Sequence, residues 1–343
     1  MTAAVLYGKE DLKIERVGIP EVGPQDALVR VKVALLCGTD LKVWRQGHHA
    51  RMISPPAIFG HELAGVVELV GSDVVSVRPG MRVVPANSAP CSDCLYCRRD
   101  RENLCENLLF NNGAYAEFIH VPGRILQKNT LEIPAQVDYV DAALVEPLAC
   151  VLRGIDETGV GEGDTVVVLG CGPIGLMFIR LARLRRARVI ALGKRHTQME
   201  AAERLGAAAA IDVNRVANPV QYVRQLTECG RGADVVIEAV GSSATWQWSV
   251  EMVRKGGTVN LFGGCPTGSA VQFDPVLLHY SEISIKSTFH HTPRFIREAM
   301  GVIASGGVRA SDFVTGEIPL TELPGMFRQL KNRNGELKTA IIP

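Results

Sequence analysis

The sequence lacks the features that mark membrane proteins, secreted proteins and nucleic-acid-binding proteins. None of its 343 residues belongs to a run approaching the ~20 uninterrupted apolar residues that a membrane span requires, and the N-terminal segment lacks a charged-then-apolar secretory signal. The net charge is only +1 and no basic stripe dominates, so there is no electrostatic footprint for nucleic acid or an anionic membrane. These absences predict a small-molecule ligand and neither a nucleic-acid nor a membrane partner.

A fold held together by disulfide bonds is also disfavoured, although the chain contains 9 cysteines. Their odd number, the C-x2-C spacing of several of them and the missing signal favour a reducing compartment and metal ligation. We therefore expect a cytoplasmic protein. Its length exceeds what one core typically supports, and its 47% apolar and 21% charged residues are those of a globular chain, so two domains are expected.

The two halves of the sequence follow different patterns. Up to about residue 145, short β segments are broken by Gly and Pro, which predicts a mostly β, barrel-like domain with long loops. From Asp164 onward, strand and helix patterns alternate, beginning with the strand TVVVLG and including a helix over WQWSVEMVRKG, which predicts a doubly wound parallel sheet. We expect an α/β protein with a catalytic domain of residues 1–147 and 288–343 and a dinucleotide-binding domain of residues 148–287.

Four cysteines of one short segment have the spacing of a metal site. The segment APCSDCLYCRRDRENLC contains Cys91, Cys94, Cys97 and Cys105. Four thiolates at ~2.3 Å from the ion form the closed tetrahedral shell of a structural zinc site. A nucleic-acid-binding or protein-binding module built on this segment is the alternative, and the mixed charges of CRRDRENLC with few aromatic residues argue against it.

A glycine-rich turn between a predicted strand and a predicted helix indicates a dinucleotide site. It reads Gly170, Cys171, Gly172, Pro173, Ile174 and Gly175. Gly170 permits a tight turn, Gly172 lets the backbone approach a pyrophosphate, and Gly175 lets the helix lie close to the strand. The helix N-terminus supplies N–H groups for the phosphates. A purely structural glycine-rich turn is the alternative.

The end of the next predicted strand favours NADP over NAD. An NAD site usually carries Asp or Glu there, which binds the adenosine ribose, whereas this chain has Gly193 followed by Lys194 and Arg195. Loss of the carboxylate removes repulsion, and a guanidinium can bind a 2′-phosphate through two hydrogen bonds. The alternative is that both cations are solvated charges at a helix start, in which case NAD remains possible.

Dispersed metal-binding residue types suggest a second metal centre. They are Cys37, His61, Glu62 and Glu146. A catalytic zinc ion takes about three protein ligands and keeps one position open for water or substrate. A lone Cys or His is more often a core residue, but these lie beside glycines in a chain that also has a nucleotide turn.

These motifs follow a family order. With CGTD, GHE, the four-cysteine segment, EP and VLGCGPIG in sequence, the whole chain resembles the zinc-dependent medium-chain dehydrogenase/reductase family, in particular its polyol (sorbitol-like) and threonine dehydrogenase branch. The resemblance implies a GroES-like catalytic domain, a Rossmann domain, a cleft that holds zinc and nicotinamide, two zinc ions per subunit, and a homotetramer with a dimer as the alternative. Many polyol enzymes of this branch lack the four cysteines, which favours a bacterial-style sugar, polyol or threonine enzyme.

The resemblance also assigns roles at the catalytic zinc. It implies that Cys37 and His61 are ligands, that Glu62 is the third, and that Glu146 is a further carboxylate acting directly or through water. Which carboxylate binds the resting metal is left open. Asp40 is expected to orient His61 through a hydrogen bond that fixes its tautomer.

The implied reaction requires a proton acceptor. Zinc stabilises the alkoxide of the substrate, hydride passes to the nicotinamide, and Thr39 resembles the family's hydroxyl that takes the proton. Lys42 stands where the family commonly has histidine, and an ordinary lysine is a poor base at neutral pH. Either its pKa is depressed, or water completes the relay, or Lys42 binds substrate, or it is a solvated helix lysine.

Further binding residues follow from the resemblance alone. His290 and His291 are expected at the substrate, Lys338 near the pyrophosphate, and the nicotinamide amide is expected at the backbone of Phe262, Gly263 and Gly264. The expected function is hydride transfer between NADP and a secondary alcohol of a polyol, sugar, cyclitol or hydroxy-amino acid. The alternatives are an NAD-dependent threonine or sorbitol-type dehydrogenase and a catalytically silent NADPH-binding sensor, which the intact CGTD, GHE and EP motifs disfavour.

Overall fold

The computed structural model of the chain describes residues 1–48, 52–330 and 337–343, which form two compact units. The first unit comprises Met1–Ala149 and His291–Pro343, and the second comprises Cys150–His290. Within the described ranges, no helix combines the length and the apolar character needed to cross a membrane.

The secondary structure follows the expected change of pattern along the chain. The strands are β1 (Thr2–Gly8), β2 (Asp11–Arg16), β3 (Ala27–Leu35), β4 (Ala57–Ile58), β5 (Glu62–Val70), β6 (Arg82–Pro85), β7 (Ser88–Ala89), β8 (Leu109–Phe110), β9 (Phe118–Val121), β10 (Thr130–Glu132), β11 (Thr165–Leu169), β12 (Arg188–Gly193), β13 (Ala209–Asp212), β14 (Ala233–Glu238), β15 (Val253–Leu261), β16 (Ser284–Ser287), β17 (Val314–Pro319) and β18 (Lys338–Ile342). The helices are α1 (Gly38–Gln46), α2 (Gly123–Asn129), α3 (Tyr139–Ala143), α4 (Val145–Thr158), α5 (Pro173–Leu184), α6 (His196–Arg204), α7 (Pro219–Gln225), α8 (Ser243–Met252), α9 (Pro275–Tyr280), α10 (Pro293–Ala304) and α11 (Leu323–Gln329).

The first unit is built on a sheet centred on β3. Its strands follow the order β10-β6-β5-β3-β18-β17, and β9 also pairs with β3. The middle of β3 alternates between valine and the exposed Arg30 and Lys32, and the apolar residues of the strand are buried. Because β5 and β18 flank β3, this sheet brings the start of β5 and the start of β18 to the same edge of the unit.

The second unit contains the expected parallel sheet. Six strands run in the order β13-β12-β11-β14-β15-β16, and every neighbouring pair is parallel. The central strand β11 consists of β-branched and apolar residues buried on both faces, as the helices between strands require. This order is that of a doubly wound dinucleotide-binding sheet, which confirms the predicted fold class of this region.

One predicted helix is shorter than its sequence pattern. The segment WQWSVEMVRKG was expected to be helical throughout, but α8 ends at Met252 and β15 begins at Val253. Val253 is a buried β-branched residue that pairs with Ala233, and Gly256 has a φ of 67°, which a right-handed helix cannot contain. Packing against β14 therefore overrides the helical pattern of these residues.

Candidate functional site

Cys37 is held at the N-terminus of α1 by a reciprocal cap. Its Sγ accepts a hydrogen bond from the N–H of Thr39 at 3.4 Å, and Oδ2 of Asp40 accepts one from the N–H of Cys37 at 3.1 Å. The cap places the sulfur at the positively polarised end of the helix. The local sequence CGTD thus fixes the position of this sulfur.

His61 is oriented by the same aspartate. Its Nδ1 lies 3.0 Å from Oδ1 of Asp40, and both side chains are buried. Burial opposes protonation, but the Asp40 carboxylate raises the pKa of His61 well above its ordinary value. A proton placed on Nδ1 leaves Nε2 as the lone-pair nitrogen that can bind a metal.

Glu62 completes a group with a metal-binding donor set. One candidate ligand atom from each of Cys37, His61 and Glu62 lies within 4.8 Å of the other two. Ligands at zinc–donor distances of about 2.0–2.3 Å are separated by roughly 3.3–3.8 Å in a tetrahedron. Glu62 is fully buried, and among the described residues no hydrogen-bond partner reaches its Oε1. A thiolate, an imidazole and an unsatisfied carboxylate oxygen fit zinc with an open fourth position.

Glu146 lies in the first turn of α4, outside that three-residue group. It is 8% exposed, and burial, partly offset by the charge of His61, raises the pKa of its carboxyl group to about 7. Its Oε1 lies 3.8 Å from Nε2 of His291. Of the two carboxylates, Glu62 is thus the one that the described geometry groups with Cys37 and His61.

The two predicted substrate histidines have different surroundings. His290 is half-buried in the second unit, has a φ of 66°, and stacks on Phe289 with ring centres 5.5 Å apart. His291 belongs to the first unit, is 2% exposed, and its Nε2 lies 2.8 Å from Oδ1 of Asn87. His291 is therefore a buried neighbour of Glu146, and contact of either histidine with substrate stays a prediction.

Thr39 and Lys42 follow Cys37 on α1. Thr39 is half-buried, so its hydroxyl can meet a ligand near Cys37, whereas Lys42 is exposed. The relay role of both residues stays a prediction.

The four cysteines of the 91–105 segment converge. Sγ–Sγ distances are 3.9 Å for Cys91 and Cys97, 4.0 Å for Cys94 and Cys105, and 3.4 Å for Cys91 and Cys105. Zinc–sulfur bonds of ~2.3 Å place tetrahedral ligands about 3.8 Å apart, whereas a disulfide bond measures ~2.05 Å. Backbone N–H groups of Cys97 and Glu106 lower the pKa of Cys94 to about 6. The arrangement fits a metal ion and excludes a disulfide.

The glycine-rich turn has the geometry that its sequence predicts. Gly170 has a φ of 100°, and a Cβ on Gly175 would lie 1.7 Å from the carbonyl oxygen of Gly170. Gly172 has nothing within 4 Å of its Cβ position, and Pro173 begins α5 directly after it. The turn therefore leaves open backbone at a helix N-terminus, which is the form of a pyrophosphate site.

The end of β12 carries the two predicted phosphate-binding cations. Lys194 is exposed, and Arg195 is half-buried as the N-cap of α6. Gly193 is buried, and a Cβ there would lie 3.2 Å from Sγ of Cys171. Any side chain at position 193, a carboxylate included, would therefore have to displace Cys171.

Two other cofactor predictions, the backbone of residues 262–264 and Lys338, stay predictions. The N–H groups of Phe262 and Gly263 both donate to the carbonyl oxygen of Glu238, at 3.0 and 2.8 Å. Gly264 has open space at its Cβ position. Lys338, expected at the pyrophosphate, is 4% exposed in the first unit with its Nζ 2.5 Å from Oε2 of Glu62, which provides the counter-charge that a buried ammonium requires.

Comparisons with known proteins agree with this geometry. A model of the alcohol dehydrogenase GroES-like domain matches residues 23–134, and a model of zinc-binding dehydrogenases matches residues 173–305. A protein named as a probable D-xylulose reductase A, from Aspergillus clavatus, is 32% identical over 98% of this chain and 95% of its own length. The chain belongs to the zinc-dependent medium-chain dehydrogenase family.

Other relatives place it further within that family. The sorbitol dehydrogenase of Bacillus subtilis is 29% identical over 100% of this chain and 97% of its own length. A zinc-binding dehydrogenase from Sinorhizobium meliloti, solved with NADP bound, matches with a TM-score of 0.91 and 34% identity over 100% of this chain and 99% of that one. The predicted GroES-like and Rossmann folds and the expected enzyme class, an alcohol or polyol dehydrogenase, are confirmed.

Sequence reasoning missed two buried polar residues, one in each unit. The Tyr115 hydroxyl donates to Oδ2 of Asp40 at 2.5 Å, and its ring lies where a Cβ on Gly60 would be, which explains the glycine of the GHE motif. Glu238 is fully buried at the end of β14, and its Oε1 accepts hydrogen bonds from the N–H groups of Val240 and Gly241. An acidic residue ending an apolar strand is the signal that could have indicated Glu238.

Proposed function

We propose that the chain is a zinc-dependent, NADP-preferring dehydrogenase that oxidises a secondary alcohol of a polyol or sugar. The observation that carries this proposal is the group of Cys37, His61 and Glu62, with a buried carboxylate oxygen that no described residue satisfies. A zinc ion held there would act as a Lewis acid on the substrate hydroxyl, and bound NADP would accept the hydride.

The names of the relatives support the substrate class. The relatives are named for D-xylulose and sorbitol, whose reacting groups are a ketone and a secondary alcohol. Each relative matches nearly the whole of this chain, so the proposal does not rest on a shared fragment. Threonine and cyclitols stay in the test panel because the sequence motifs fit those enzymes equally well.

The residues of the first unit divide the remaining work. Cys37, His61 and Glu62 hold the metal, while Asp40 keeps the His61 proton on Nδ1. Tyr115 in turn holds Asp40 through its hydroxyl group. We assign uptake of the substrate proton to the Thr39 hydroxyl, from which it passes to water, because Thr39 is half-buried beside Cys37 whereas Lys42 is exposed.

A zinc determination and a substrate panel test the proposed reaction. Purified protein is assayed for zinc content and for NADP reduction, followed at the nicotinamide absorbance, with polyols, sugars, cyclitols and threonine. Cys37→Ser is the matched variant, and we expect it to lose turnover while still binding NADPH. Turnover in zinc-depleted protein at the rate of the zinc-loaded protein would refute the proposal.

We propose NADP preference from the end of β12. Arg195 and Lys194 supply positive charge there, and no carboxylate stands at Gly193 to bind a ribose diol. The relative solved with NADP supports this choice. Replacing Lys194 and Arg195 by Ala should weaken NADP by at least about tenfold while leaving NAD unchanged. Lys255→Ala, at another exposed lysine of the same unit, is the control. Wild-type protein that uses NAD better than NADP would contradict this assignment.

We propose a second, structural zinc ion at the four-cysteine cluster. Its sulfur–sulfur spacing matches a tetrahedral ion with no open position. Metal content of wild-type and Cys37→Ser proteins separates the two sites, since Cys37→Ser should retain one zinc per chain. We further propose a cytoplasmic homotetramer, with a dimer as the alternative, which sedimentation of the purified protein tests.

A further inference from the structure

Arg153 is a buried arginine of α4 whose guanidinium group binds the backbone of a distant segment. It is 5% exposed, and its Nη1 donates to the carbonyl oxygens of Phe289 at 2.7 Å and of His290 at 3.2 Å. Its Nη2 donates to Oε1 of Glu157, one helical turn further along α4, at 3.3 Å. Burying a charged group is costly unless it is paired and hydrogen-bonded, and these contacts supply both kinds of compensation.

The bound segment is irregular backbone at the end of the parallel sheet. β16 ends at Ser287, so the two carbonyl groups that Arg153 binds belong to the second and third residues after the strand. His290 has a φ of 66°, a left-handed conformation that residues other than glycine seldom adopt. Such a conformation persists where surrounding contacts hold it, and Arg153 supplies one at the carbonyl group of this residue.

A second contact ties the same segment to the same turn of α4. Asn260 of β15 is fully buried, and its Nδ2 donates to the carbonyl oxygen of Gly154 at 2.8 Å and to Oγ1 of Thr288 at 3.1 Å. Gly154 lies in a closely packed region, because a Cβ there would be 2.6 Å from Cζ of Phe178. Adjacent residues of α4 therefore anchor three consecutive residues after β16.

The position of this segment in the sheet corresponds to the nicotinamide side of a dinucleotide site. Ligands of such sheets bind beyond the carboxyl ends of the strands, where the strand order reverses, which here is between β11 and β14. The half formed by β11–β13 carries the glycine-rich turn and the cations after β12, where the pyrophosphate and the adenosine ribose are expected. The half formed by β14–β16 is then left for the nicotinamide, and residues 288–290 follow the carboxyl end of its last strand.

The anchored segment presents an aromatic pair. Phe289 is 43% exposed, although Thr288 directly before it is buried, and its ring stacks on that of His290 with centres 5.5 Å apart. An exposed aromatic surface at the end of a strand can pack against a planar ring of a ligand. Because Arg153 binds the backbone of both members of this pair, it fixes where the pair lies.

We propose that Arg153 is a positioning residue of the nicotinamide half of the cofactor site: it holds the backbone of Phe289 and His290 so that this segment meets the nicotinamide ring in one orientation. Arg153 acts through that segment and not on the cofactor, because its guanidinium group is buried against the carbonyl groups of the segment. The inference presupposes a bound nicotinamide cofactor and therefore rests on the proposed function, but it does not depend on a metal ion.

Two ligands separate this role from a purely structural one. NADPH occupies both halves of the site, whereas adenosine 2′,5′-bisphosphate contains only the adenosine half. Arg153→Met should weaken NADPH at least about tenfold, since the hydrogen bonds from a charged donor to the segment are lost. The affinity for the fragment should stay within about twofold of wild type, since the fragment has no group that reaches the half formed by β14–β16. An arginine that only stabilised the fold would change both affinities alike or neither.

NADPH binding is followed by nicotinamide fluorescence, and binding of the fragment by calorimetry. Turnover with NADP should also fall by about tenfold or more in Arg153→Met, since a displaced ring no longer lies at the right distance from the substrate. Glu157→Gln is the matched control, because it removes the ion pair and leaves the carbonyl contacts of Arg153 in place. The Glu157 side chain is 27% exposed, so we expect this variant to bind both ligands like wild type.

A conservative variant covers the case in which Arg153→Met does not fold. Arg153→Lys keeps the charge and most of the aliphatic stem, but an ammonium group lacks the planar fork of a guanidinium. We expect it to lose affinity for NADPH selectively, to a smaller extent than Arg153→Met. If Arg153→Met loses the fragment as well, the lysine variant decides: equal loss of both ligands, or loss of neither, would overturn the inference.

Failure of the proposed function is distinguishable from failure of this inference. If wild-type protein binds neither NADPH nor NADP, the proposed function fails. If wild type binds NADPH and the fragment, and both Arg153 variants keep the wild-type ratio of the two affinities, only the role of Arg153 is overturned.

Discussion

Replacing Tyr115 by Phe removes one hydroxyl group from the site and nothing else. That hydroxyl donates to Oδ2 of Asp40 and lies 3.2 Å from the carbonyl oxygen of Leu35, while the ring packs edge-on against Phe59 with centres 5.9 Å apart. Phenylalanine keeps the ring contacts, so the change isolates the hydrogen bond. A buried hydrogen bond to a charged group is worth about 1.5–3 kcal/mol, and Tyr115→Phe should lower the free energy of unfolding by about 2 kcal/mol.

Loss of the Tyr115 hydroxyl should lower both the unfolding temperature and the metal affinity. For a unit of this size, about 2 kcal/mol corresponds to a fall of roughly 4–8 °C in unfolding temperature. Asp40 also loses a contact that fixes its orientation toward His61, so metal affinity should fall about 10–100-fold, as is typical when a partner of a ligand histidine is disturbed. Calorimetry and chelator competition measure the two effects. Tyr222→Phe, at an exposed tyrosine, is the control. A Tyr115→Phe protein with wild-type melting and wild-type metal affinity would refute the reasoning.

Two further predictions concern the zinc cluster and the dinucleotide turn. Cys94→Ser should lose one zinc per chain and unfold at lower temperature in calorimetry, whereas a variant that keeps both the zinc and the melting temperature would remove the structural-zinc argument. Gly175→Ala places a Cβ 1.7 Å from the carbonyl oxygen of Gly170, so α5 must shift and NADPH binding, followed by nicotinamide fluorescence, should be lost. Gly172→Ala is its informative partner: its Cβ meets no protein atom, so any loss of binding there must come from a clash with the ligand.

The parts of the site that short residue patterns can specify by themselves are local in the chain. Cys37 and Asp40 are three residues apart. CGTD places an acceptor side chain at the start of a helix and an acid in its first turn, so the sequence pattern is sufficient to indicate the cap. The glycine-rich turn likewise needs only the strand before it and the helix after it. Such short patterns fix their own geometry because the hydrogen bonds lie within one turn of backbone.

The parts that the sequence did not predict depend on distant partners. Tyr115 reaches Asp40 across 75 positions, and Lys338 reaches the Leu36 carbonyl across 302. No spacing rule specifies that β18 lies beside β3, so the sequence did not indicate the contact between Lys338 and Glu62. A lysine at the start of the apolar strand KTAII was nonetheless a signal, because a buried ammonium implies an unidentified counter-charge.

The end of β12 shows why charge alone does not account for the choice between NAD and NADP. The sequence argument treated Gly193 as a lost carboxylate, but in the structure a Cβ at that position would also lie 3.2 Å from Sγ of Cys171 and 3.4 Å from Cγ of Met199. Contacts at these distances require the neighbours to move by a few tenths of an ångström, and Cys171 is 1% exposed in a packed interior that resists such movement. The residue in the glycine-rich turn and the residue that ends the next strand are therefore coupled through packing. Introducing a ribose-binding aspartate at Gly193 consequently tests charge and packing at once, whereas removing the cations of Lys194 and Arg195 changes charge alone.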